Sequence, residues 1–385
     1  MSDGDLGLPL ELAGDGSPGN PVVVLELDRW QGAEAGEVAR VAGMVARALP
    51  VTVGVLRGPL TAGLAPLVAA ASLTLADDAA LTSGAAWEAA SGSAPGDALG
   101  PASGAVRAAA TGIVPVGDIR GPGLASSDLE SAVEVVRSAA ARSPRAAIAC
   151  GQLVRQTAVL DTGAGLAAEA TAYSLLLGGP EFARWLVERG PARPRPAAAA
   201  DPVLLTRDGA RLSIVLNVPE RRNAFSAAVR EALLEAVLLA EADPTIESVE
   251  LSGAGPAFCS GGDLDEFGLA TDLVAACLVR LSRAPWRVID RIAPTVTVAA
   301  HGACVGAGTE IAAYAGRVVA APDAFFALPE VRMGLVPGAG GSVSVVRRIG
   351  RWRAAWLMLT GERLPAATAL RWGLVDAIAA AAAAG

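Results

Sequence analysis

The sequence predicts an α/β protein in which two tandem copies of one core are joined by helices and a linker. Strand-like runs of β-branched and apolar residues alternate with helical patterns along both halves of the 385-residue chain. Segments 50–67 and 294–311 align without gaps, proline on proline and Gly58 on Gly302, which predicts an internal repeat. A Pro/Ala-rich stretch at 190–202 predicts the linker between the copies.

The first half opens with a strand and a helix ahead of the repeated segment. Residues 1–20 are rich in Asp, Gly, Ser and Pro without periodicity and predict a loose arm. The apolar run 22–27 predicts a strand, and apolar recurrences at three- and four-residue steps predict a helix over 33–48. Helical patterns resume after Asp128, a candidate N-cap. The second half opens with a strand and a helix at 211–216 and 227–240.

Two carboxylates and two small-residue turns in the second half are the groups best suited to chemistry. Glu310 and Glu330 lie twenty residues apart, each beside glycines and apolar residues that could desolvate it. Small side chains in the turn at 256–264 and around Ala307 leave backbone N–H groups uncovered, so these groups could face a ligand oxygen. The pattern indicates general acid–base chemistry beside a stabilised oxyanion.

Charge and composition exclude several classes of function. The formal net charge is −8 and basic residues form no cluster, which argues against nucleic acid as the main partner. All 31 basic residues are arginine, so lysine Schiff-base chemistry and a Walker P-loop are excluded. Four scattered cysteines and a single histidine, His301, are too few suitably spaced ligands for a closed zinc site.

The sequence shows no pattern for membrane insertion or export. The longest apolar runs are Ala-rich and are broken by Gly, Pro or charge before they reach the roughly 20 residues of a spanning helix. The N-terminal Met-Ser-Asp-Gly-Asp lacks the basic region and apolar core of a signal peptide. We therefore expect no membrane partner and a cytoplasmic location.

Six sequence blocks within residues 203–378 follow one another in the order typical of the crotonase (enoyl-CoA hydratase/isomerase) superfamily. The blocks are 216–225, 257–264, 302–310, 329–341, 359–366 and 373–376. The chain resembles this superfamily, and the resemblance implies a repeated ββα spiral core. It also implies an acyl-CoA thioester as substrate, with coenzyme A as part of that substrate and no further cofactor.

The first half resembles a degenerate copy of the same domain followed by its closing helices. In the gapless alignment Glu310 falls on Pro66, and a one-residue gap places it on Ala65; neither residue can move a proton. Residues 81–123 show no equivalent of 329–341. The resemblance therefore divides the chain into a loose arm, a degenerate core, a helical cap region, a linker and an intact catalytic domain, at 1–20, 21–125, 126–189, 190–202 and 203–385.

The helical cap region is expected to serve the second half. Residues 165–186 resemble the closing helices of crotonase domains, which cover the acyl-CoA pocket and help the domain to trimerise. The chain ends at Gly385, just after residues 373–376, where the superfamily usually continues with such helices. We expect the cap to cover the pocket of the second half within the chain or across a subunit interface, in a homo-oligomer that could be trimer-based.

The resemblance also assigns roles to individual residues. It implies that Glu310 and Glu330 act together on one water molecule, which the N–H of Gly338 helps to hold. The oxyanion hole maps onto the backbone N–H groups of Ser260 and Ala307. Backbone contacts to CoA map onto Ala224, Phe225, Asp263 and Leu264.

An enoyl-CoA hydratase or dehydratase is the function that the sequence favours, because both glutamates of the hydratases are present. Two other interpretations stay open. One keeps the scaffold and changes the reaction to double-bond isomerisation, C–C cleavage or decarboxylation, or thioester hydrolysis. The other is a non-catalytic subunit that binds acyl-CoA or serves assembly. His301 is expected to make a structural hydrogen bond, and Cys259 and Cys304 are expected to be buried thiols.

Overall fold

A parallel β-sheet organises the first half of the computed structural model, which describes residues 6–77, 114–115, 129–191 and 201–380. Strands β1 to β4 are Val22–Glu26, Val51–Leu56, Leu73–Ala76 and Val114–Pro115. They lie side by side in chain order, and every neighbouring pair is parallel. Helices α1 (Ala35–Arg47) and α2 (Ala65–Ala70) make the crossovers that parallel neighbours require.

Four helices of the helical cap region follow the first sheet. Helices α3 to α6 are Leu129–Arg142, Pro144–Thr157, Thr162–Leu177 and Pro180–Arg189. Asp161 caps the N-terminus of α5, where its carboxylate accepts a hydrogen bond from Ala164 N at 2.9 Å. The described part of the cap is therefore a bundle of helices joined by short turns.

A second sheet holds the core of the second half. Its strands β5, β6, β7, β8, β10 and β13 are Val203–Asp208, Arg211–Leu216, Ser248–Gly253, Val296–Ala300, Arg317–Ala320 and Ala377–Ile378. They lie in the order β13-β10-β8-β7-β6-β5, with an antiparallel β5–β6 hairpin and parallel neighbours elsewhere. A small sheet contains β12, β11 and β9, which are Leu364–Pro365, Phe325–Ala327 and Ala303–Val305.

Seven helices surround the second sheet. Helices α7 to α13 are Ala227–Ala242, Leu273–Ser282, Pro285–Arg291, Ala307–Ala312, Gly341–Ile349, Arg351–Thr360 and Ala366–Trp372. The cap packs on this half, with α5 against α8 and α11 and with α4 against α11 and α12. The indole N–H of Trp352 in α12 donates to Ala71 O at 3.2 Å and links the second half to the first.

The two aligned segments have the same order of elements. In the gapless alignment β3 falls residue for residue on β10, and β2 falls on β8 with one extra residue at its start. In the alignment, helix α2 corresponds to α10, which contains Glu310. Pro66 lies in the first turn of α2, so this helix offers no carboxylate there. That the halves are copies of one domain stays a prediction.

The strand and helix predictions are confirmed to within a few residues for β1, α1, β6 and α7. Strand β5 was not predicted, because its apolar residues lie next to a charged pair rather than in an alternating pattern. The predictions for Asp128 and 81–113, and most of the linker and of the first residues of the arm, lie outside the described residues. Within the described ranges, each helix is too short or too polar to cross a membrane.

Candidate active site

A cavity of about 330 Å³ lies between the cap and the second half. Both carboxylates named from the sequence, Glu310 and Glu330, line it. Helix α5 of the cap contributes Tyr173 and Leu177 to its wall. The cap therefore reaches the pocket of the second half within a single chain.

Two turns meet at this cavity because one runs alongside strand β9. Cys259 N donates to Ala303 O at 3.2 Å, and Val305 N donates to Cys259 O at 3.0 Å. Gly262, three residues after Cys259, and Ala307, two residues after Val305, line the cavity. The pairing thus brings together two turns that lie more than forty residues apart in the sequence.

The oxyanion role of Ser260 stays a prediction, and the structure shows that its amide already has an acceptor. Ser260 N already donates to Arg222 O at 3.0 Å, and Ser260 does not line the cavity. Gly262 lies two residues further along the same turn, and its N–H donates to no acceptor in the described part of the chain. The sequence signal for Gly262 was its place in the same Gly-Gly-Asp turn, but the orientation of each amide was not readable from spacing.

Ala307 lies where the sequence placed it, at the edge of the cavity. It is the first residue of α10, and the first N–H groups of a helix have no acceptor within the helix. Its amide is therefore available to a bound oxygen. The small Ala side chain leaves this approach open.

Two backbone amides hold the carboxylate of Glu310. Its Oε2 accepts hydrogen bonds from Ala339 N at 2.7 Å and from Gly341 N at 2.8 Å. Burial, followed by the nearby Glu330 and Glu169 carboxylates, raises the pKa of Glu310 well above its usual range. The two amide donors act in the opposite direction and favour the charged form.

Glu330 begins the 3₁₀ turn Glu330–Met333 and has a different environment. Its Oε2 is buried and has no hydrogen-bond partner in the described structure. Burial raises the pKa of Glu330 to about 8, and the Glu169 carboxylate adds to this rise. The two predicted carboxylates therefore lie in environments that differ in hydrogen-bond donors, as acid–base pairs often do.

The carboxylate of Glu330 lies directly over Gly306. A Cβ at residue 306 would lie 2.6 Å from Glu330 Oε1, and the backbone there has φ 50° and ψ −120°, a conformation that residues with a side chain rarely adopt. We expect Gly306→Ala to lower the free energy of unfolding by about 1–3 kcal/mol and to lower kcat on the order of 10-fold or more, by displacing the carboxylate. Thermal melting and steady-state kinetics measure the two effects.

Gly209 offers a matched control for that substitution. It lies in the β5–β6 turn with φ +56°, and nothing lies within 4 Å of a Cβ added there. Gly209→Ala should therefore show backbone strain alone and keep the wild-type kcat. Equal kcat values for Gly306→Ala and the wild type would contradict the proposed contact.

A third buried glutamate, Glu169, was not predicted. It lies in α5 of the cap, and its Oε1 accepts from Gly340 N at 2.7 Å. Its Oε2 accepts from Ser342 N at 2.8 Å and from Ser342 Oγ at 2.6 Å. Burial raises the pKa of Glu169 to about 7, against the effect of these donors. In the sequence Glu169 is the one charged residue of an Ala-rich helix, and this pattern does not indicate a functional site.

Gly338 lines the cavity, as the sequence placed it, next to Tyr173. A Cβ at residue 338 would lie 2.5 Å from Tyr173 Cε2, so the ring covers this part of the loop. The guanidinium of Arg280 lies over the Tyr173 ring, with its Cζ 3.9 Å from the ring centroid. Burial raises the pKa of Tyr173 to about 12, so it stays protonated at neutral pH.

Comparison with known proteins identifies the family. A family model described as enoyl-CoA hydratase/isomerase matches residues 207–384. The probable enoyl-CoA hydratase EchA14 of Mycobacterium tuberculosis is 37% identical over 183 residues, which are 47% of this chain and 71% of that relative. The chain belongs to the enoyl-CoA hydratase/isomerase family. An acyl-CoA reaction of the crotonase type is therefore the general activity of its second half.

Other members of the enoyl-CoA hydratase/isomerase family are also similar to this half. The 1,2-epoxyphenylacetyl-CoA isomerase of Escherichia coli is 35% identical over 169 residues, 43% of this chain and 64% of that protein. A solved structure of a putative enoyl-CoA hydratase from Thermobifida fusca, in complex with CoA, is 28% identical. It covers 47% of this chain and 73% of that chain, with a TM-score of 0.44.

The four residues mapped onto CoA contacts of the enoyl-CoA hydratase/isomerase family fall into two groups. Phe225 and Asp263 line the cavity, whereas Ala224 and Leu264 do not. Asp263 is buried and forms an ion pair with Arg221 at 2.8 Å. Leu264 is 47% exposed, and its carbonyl oxygen accepts a hydrogen bond from Arg189 of the cap. The CoA role of all four stays a prediction.

His301, Cys259 and Cys304 have the structural settings expected from the sequence. His301 Nε2 lies 3.0 Å from Gly255 O, the kind of hydrogen bond expected from the sequence. Cys259 and Cys304 are buried, and burial raises the pKa of the Cys259 thiol to about 12, so it stays protonated. In the part of the chain that the structure describes, no group of three or more His, Cys, Asp or Glu side chains could hold a metal ion.

Proposed function

We propose that the chain is an enoyl-CoA hydratase, or runs the same reaction in reverse as a dehydratase. One observation carries the proposal: Glu310, Glu330, Gly262 and Ala307 line one cavity. Hydration of a conjugated thioester needs a base for water, an acid for the α-carbon and donors for the thioester oxygen. These four residues offer each of those groups, and the reaction needs no metal or redox cofactor.

The thioester oxygen is proposed to lie between the N–H groups of Gly262 and Ala307. Addition of water at the β-carbon turns this oxygen into an enolate-like oxyanion, and two backbone donors stabilise the charge as it forms. Removing one donor from such a site typically costs about 2.7–4 kcal/mol of transition-state stabilisation. Gly262 replaces Ser260 in this role, because the Ser260 amide is already bonded to Arg222.

The two glutamates are proposed to divide the proton transfers. Burial and the neighbouring carboxylates raise the pKa of Glu310 as well, so the assignment rests on hydrogen-bond geometry. The amides of Ala339 and Gly341 stabilise the charged form of Glu310, which we therefore assign as the base that takes a proton from water. Glu330 lacks such donors at Oε2 and retains its proton, which makes it the acid that delivers a proton to the α-carbon. The water oxygen bonds to the β-carbon, and the C=C electron pair accepts the proton at the α-carbon.

The acid role of Glu330 predicts a fall in activity at alkaline pH. Its pKa is raised to about 8, so the acid is protonated below that pH and loses its proton as the pH rises through it. We expect kcat/KM for hydration to fall about tenfold per pH unit above about pH 8. A pH–rate profile measures this, and a profile that stays flat to pH 10 would contradict the assignment.

Crotonyl-CoA tests the proposed reaction directly. Loss of the absorbance of the conjugated thioester reports hydration, and the 3-hydroxyacyl product confirms it. A double-bond isomerase is the second candidate, because the matching family model is described as enoyl-CoA hydratase/isomerase. It would leave crotonyl-CoA unchanged and would instead raise the absorbance of a 3-enoyl-CoA by forming the conjugated isomer. A subunit that only binds acyl-CoA would change neither absorbance.

A further inference from the structure

Glu169 in the cap is a buried carboxylate that the hydration mechanism above does not use. We propose that it is a positioning residue, which holds the loop 338–342 so that the amides of this loop meet Glu310 and the reacting water correctly. The proposal rests on the proposed function. It means that a helix encoded in the first half completes the active site of the second.

Alternate amides of the loop are held by two carboxylates. The N–H groups of Ala339 and Gly341 donate to Glu310, at 2.7 and 2.8 Å. Those of Gly340 and Ser342 donate to Glu169, at 2.7 and 2.8 Å, and Ser342 Oγ adds a third bond to Glu169. The two carboxylates therefore hold alternate N–H groups of one loop. By orienting its own donors, each carboxylate also helps to orient the neighbouring N–H groups that donate to the other carboxylate.

One face of α5 packs against this loop and the helix α11 that follows it. Gly165, Glu169 and Tyr173 lie four residues apart, so they share a face of the helix. A Cβ at residue 165 would lie 2.8 Å from Val343 Cγ2, and one at residue 338 would lie 2.5 Å from the Tyr173 ring. Close packing on both sides of Glu169 sets the distance between the loop and α5. The hydrogen bonds to Glu169 set the orientation of the loop.

Charge on Glu169 also acts on the two proposed catalytic carboxylates. It is among the causes that raise the pKa of Glu310 and of Glu330. The charged and titratable groups near Glu169 are Arg280 on α8, Tyr314 after α10, Glu310 and Glu330, and Arg287 on α9 lines a small cavity with Glu169 and Arg280. Because the Glu169 carboxylate raises the pKa of Glu310 and of Glu330, loss of its negative charge should lower both pKa values.

Glu169→Gln in the full chain tests the proposal with crotonyl-CoA as probe. Gln keeps the size and one acceptor oxygen, but it presents an NH₂ group to donors that need an acceptor. We expect kcat to fall on the order of 10–100-fold with KM within about threefold of the wild type. The alkaline fall of the pH–rate profile should move to lower pH. Ser342→Ala, which removes one of three bonds, should lower kcat about 2–10-fold in the same direction.

Glu181→Gln is the matched control. Glu181 is another buried glutamate of the cap and accepts from Arg145 N at 2.8 Å and Ala146 N at 3.0 Å, away from the loop. Glu181→Gln should lower the melting temperature as Glu169→Gln does, but it should keep the wild-type kcat and pH profile. A purely structural role for Glu169 would instead give the two variants the same kinetics, which would overturn the proposal.

Hydrogen exchange separates this proposal from the proposed function. Exchange of the amides of Gly340 and Ser342 should be faster in Glu169→Gln than in the wild type and unchanged in Glu181→Gln. Unchanged exchange in Glu169→Gln would overturn the positioning role. If the wild-type protein does not convert crotonyl-CoA, the hydratase assignment is refuted. The exchange result then decides by itself whether Glu169 holds the loop. If Glu169→Gln does not fold, the kinetics and exchange of Ser342→Ala decide.

Discussion

Glu330→Gln is expected to lower kcat for hydration of crotonyl-CoA by about 10²–10⁴-fold, the range typical for loss of a general acid. Gln has the same shape as the protonated acid but holds no proton that it can give to the α-carbon. The substitution should leave the fold intact, because Glu330 Oε2 makes no hydrogen bond to any described residue. Steady-state kinetics and thermal melting together measure both expectations.

Binding experiments complete this test. CoA affinity should stay within a few-fold of the wild type in Glu330→Gln, since no step of binding uses the lost proton. Glu310→Gln should show a comparable loss of kcat, because a neutral amide cannot take a proton from water. A protein whose turnover of its substrate survives both substitutions would be a crotonase of another reaction type. A wild-type protein that binds CoA but turns over no acyl-CoA would be an acyl-CoA-binding subunit.

That Glu310 and Glu330 line one cavity could be predicted because each lies in a contiguous motif. Glu310 follows a Gly-Ala-Gly turn and Glu330 follows a proline, and each motif fixes its own local backbone. The pairing of β9 with β11 brings the two glutamates together. Helix α10, which contains Glu310, follows β9, and Glu330 follows β11.

The proposed oxyanion donor, Gly262, lies two residues from the predicted Ser260 for a physical reason. Every peptide of a small-residue turn offers an N–H group, so composition cannot show which of them is free. In this turn the Ser260 amide is consumed by Arg222 O, which belongs to a loop almost forty residues earlier. Only the tertiary fold shows that Gly262 is left facing the cavity.

Glu169 shows the same limit over a longer distance. A glutamate in the middle of an Ala-rich helix is usually exposed, and here it is 2% exposed. Its partners Gly340 and Ser342 lie in the other half of the chain, so no local pattern connects them. The sequence predicted that the cap would cover the pocket, but it did not predict that the cap would supply a charge to it.

Removal of the first half should abolish activity. A fragment of residues 201–385 loses Glu169, Tyr173 and Leu177 from the site and leaves the amides of Gly340 and Ser342 without acceptors. It also uncovers the apolar face of α11 and the side of α12 that contains Trp352. We expect the fragment to be insoluble, or soluble with kcat at least about 10²-fold below that of the full chain.

Supplying the missing half separates loss of the cap from damage to the fragment. Residues 1–191, produced together with the fragment, should bind it and restore part of the activity, because the contacts of α5 with α8 and α11 need no covalent link. The same complement carrying Glu169→Gln should bind equally but restore less activity, since it supplies the helix without the full set of acceptors. A fragment 201–385 that is soluble alone and has the kcat of the full chain would show instead that the second half builds its site without the cap.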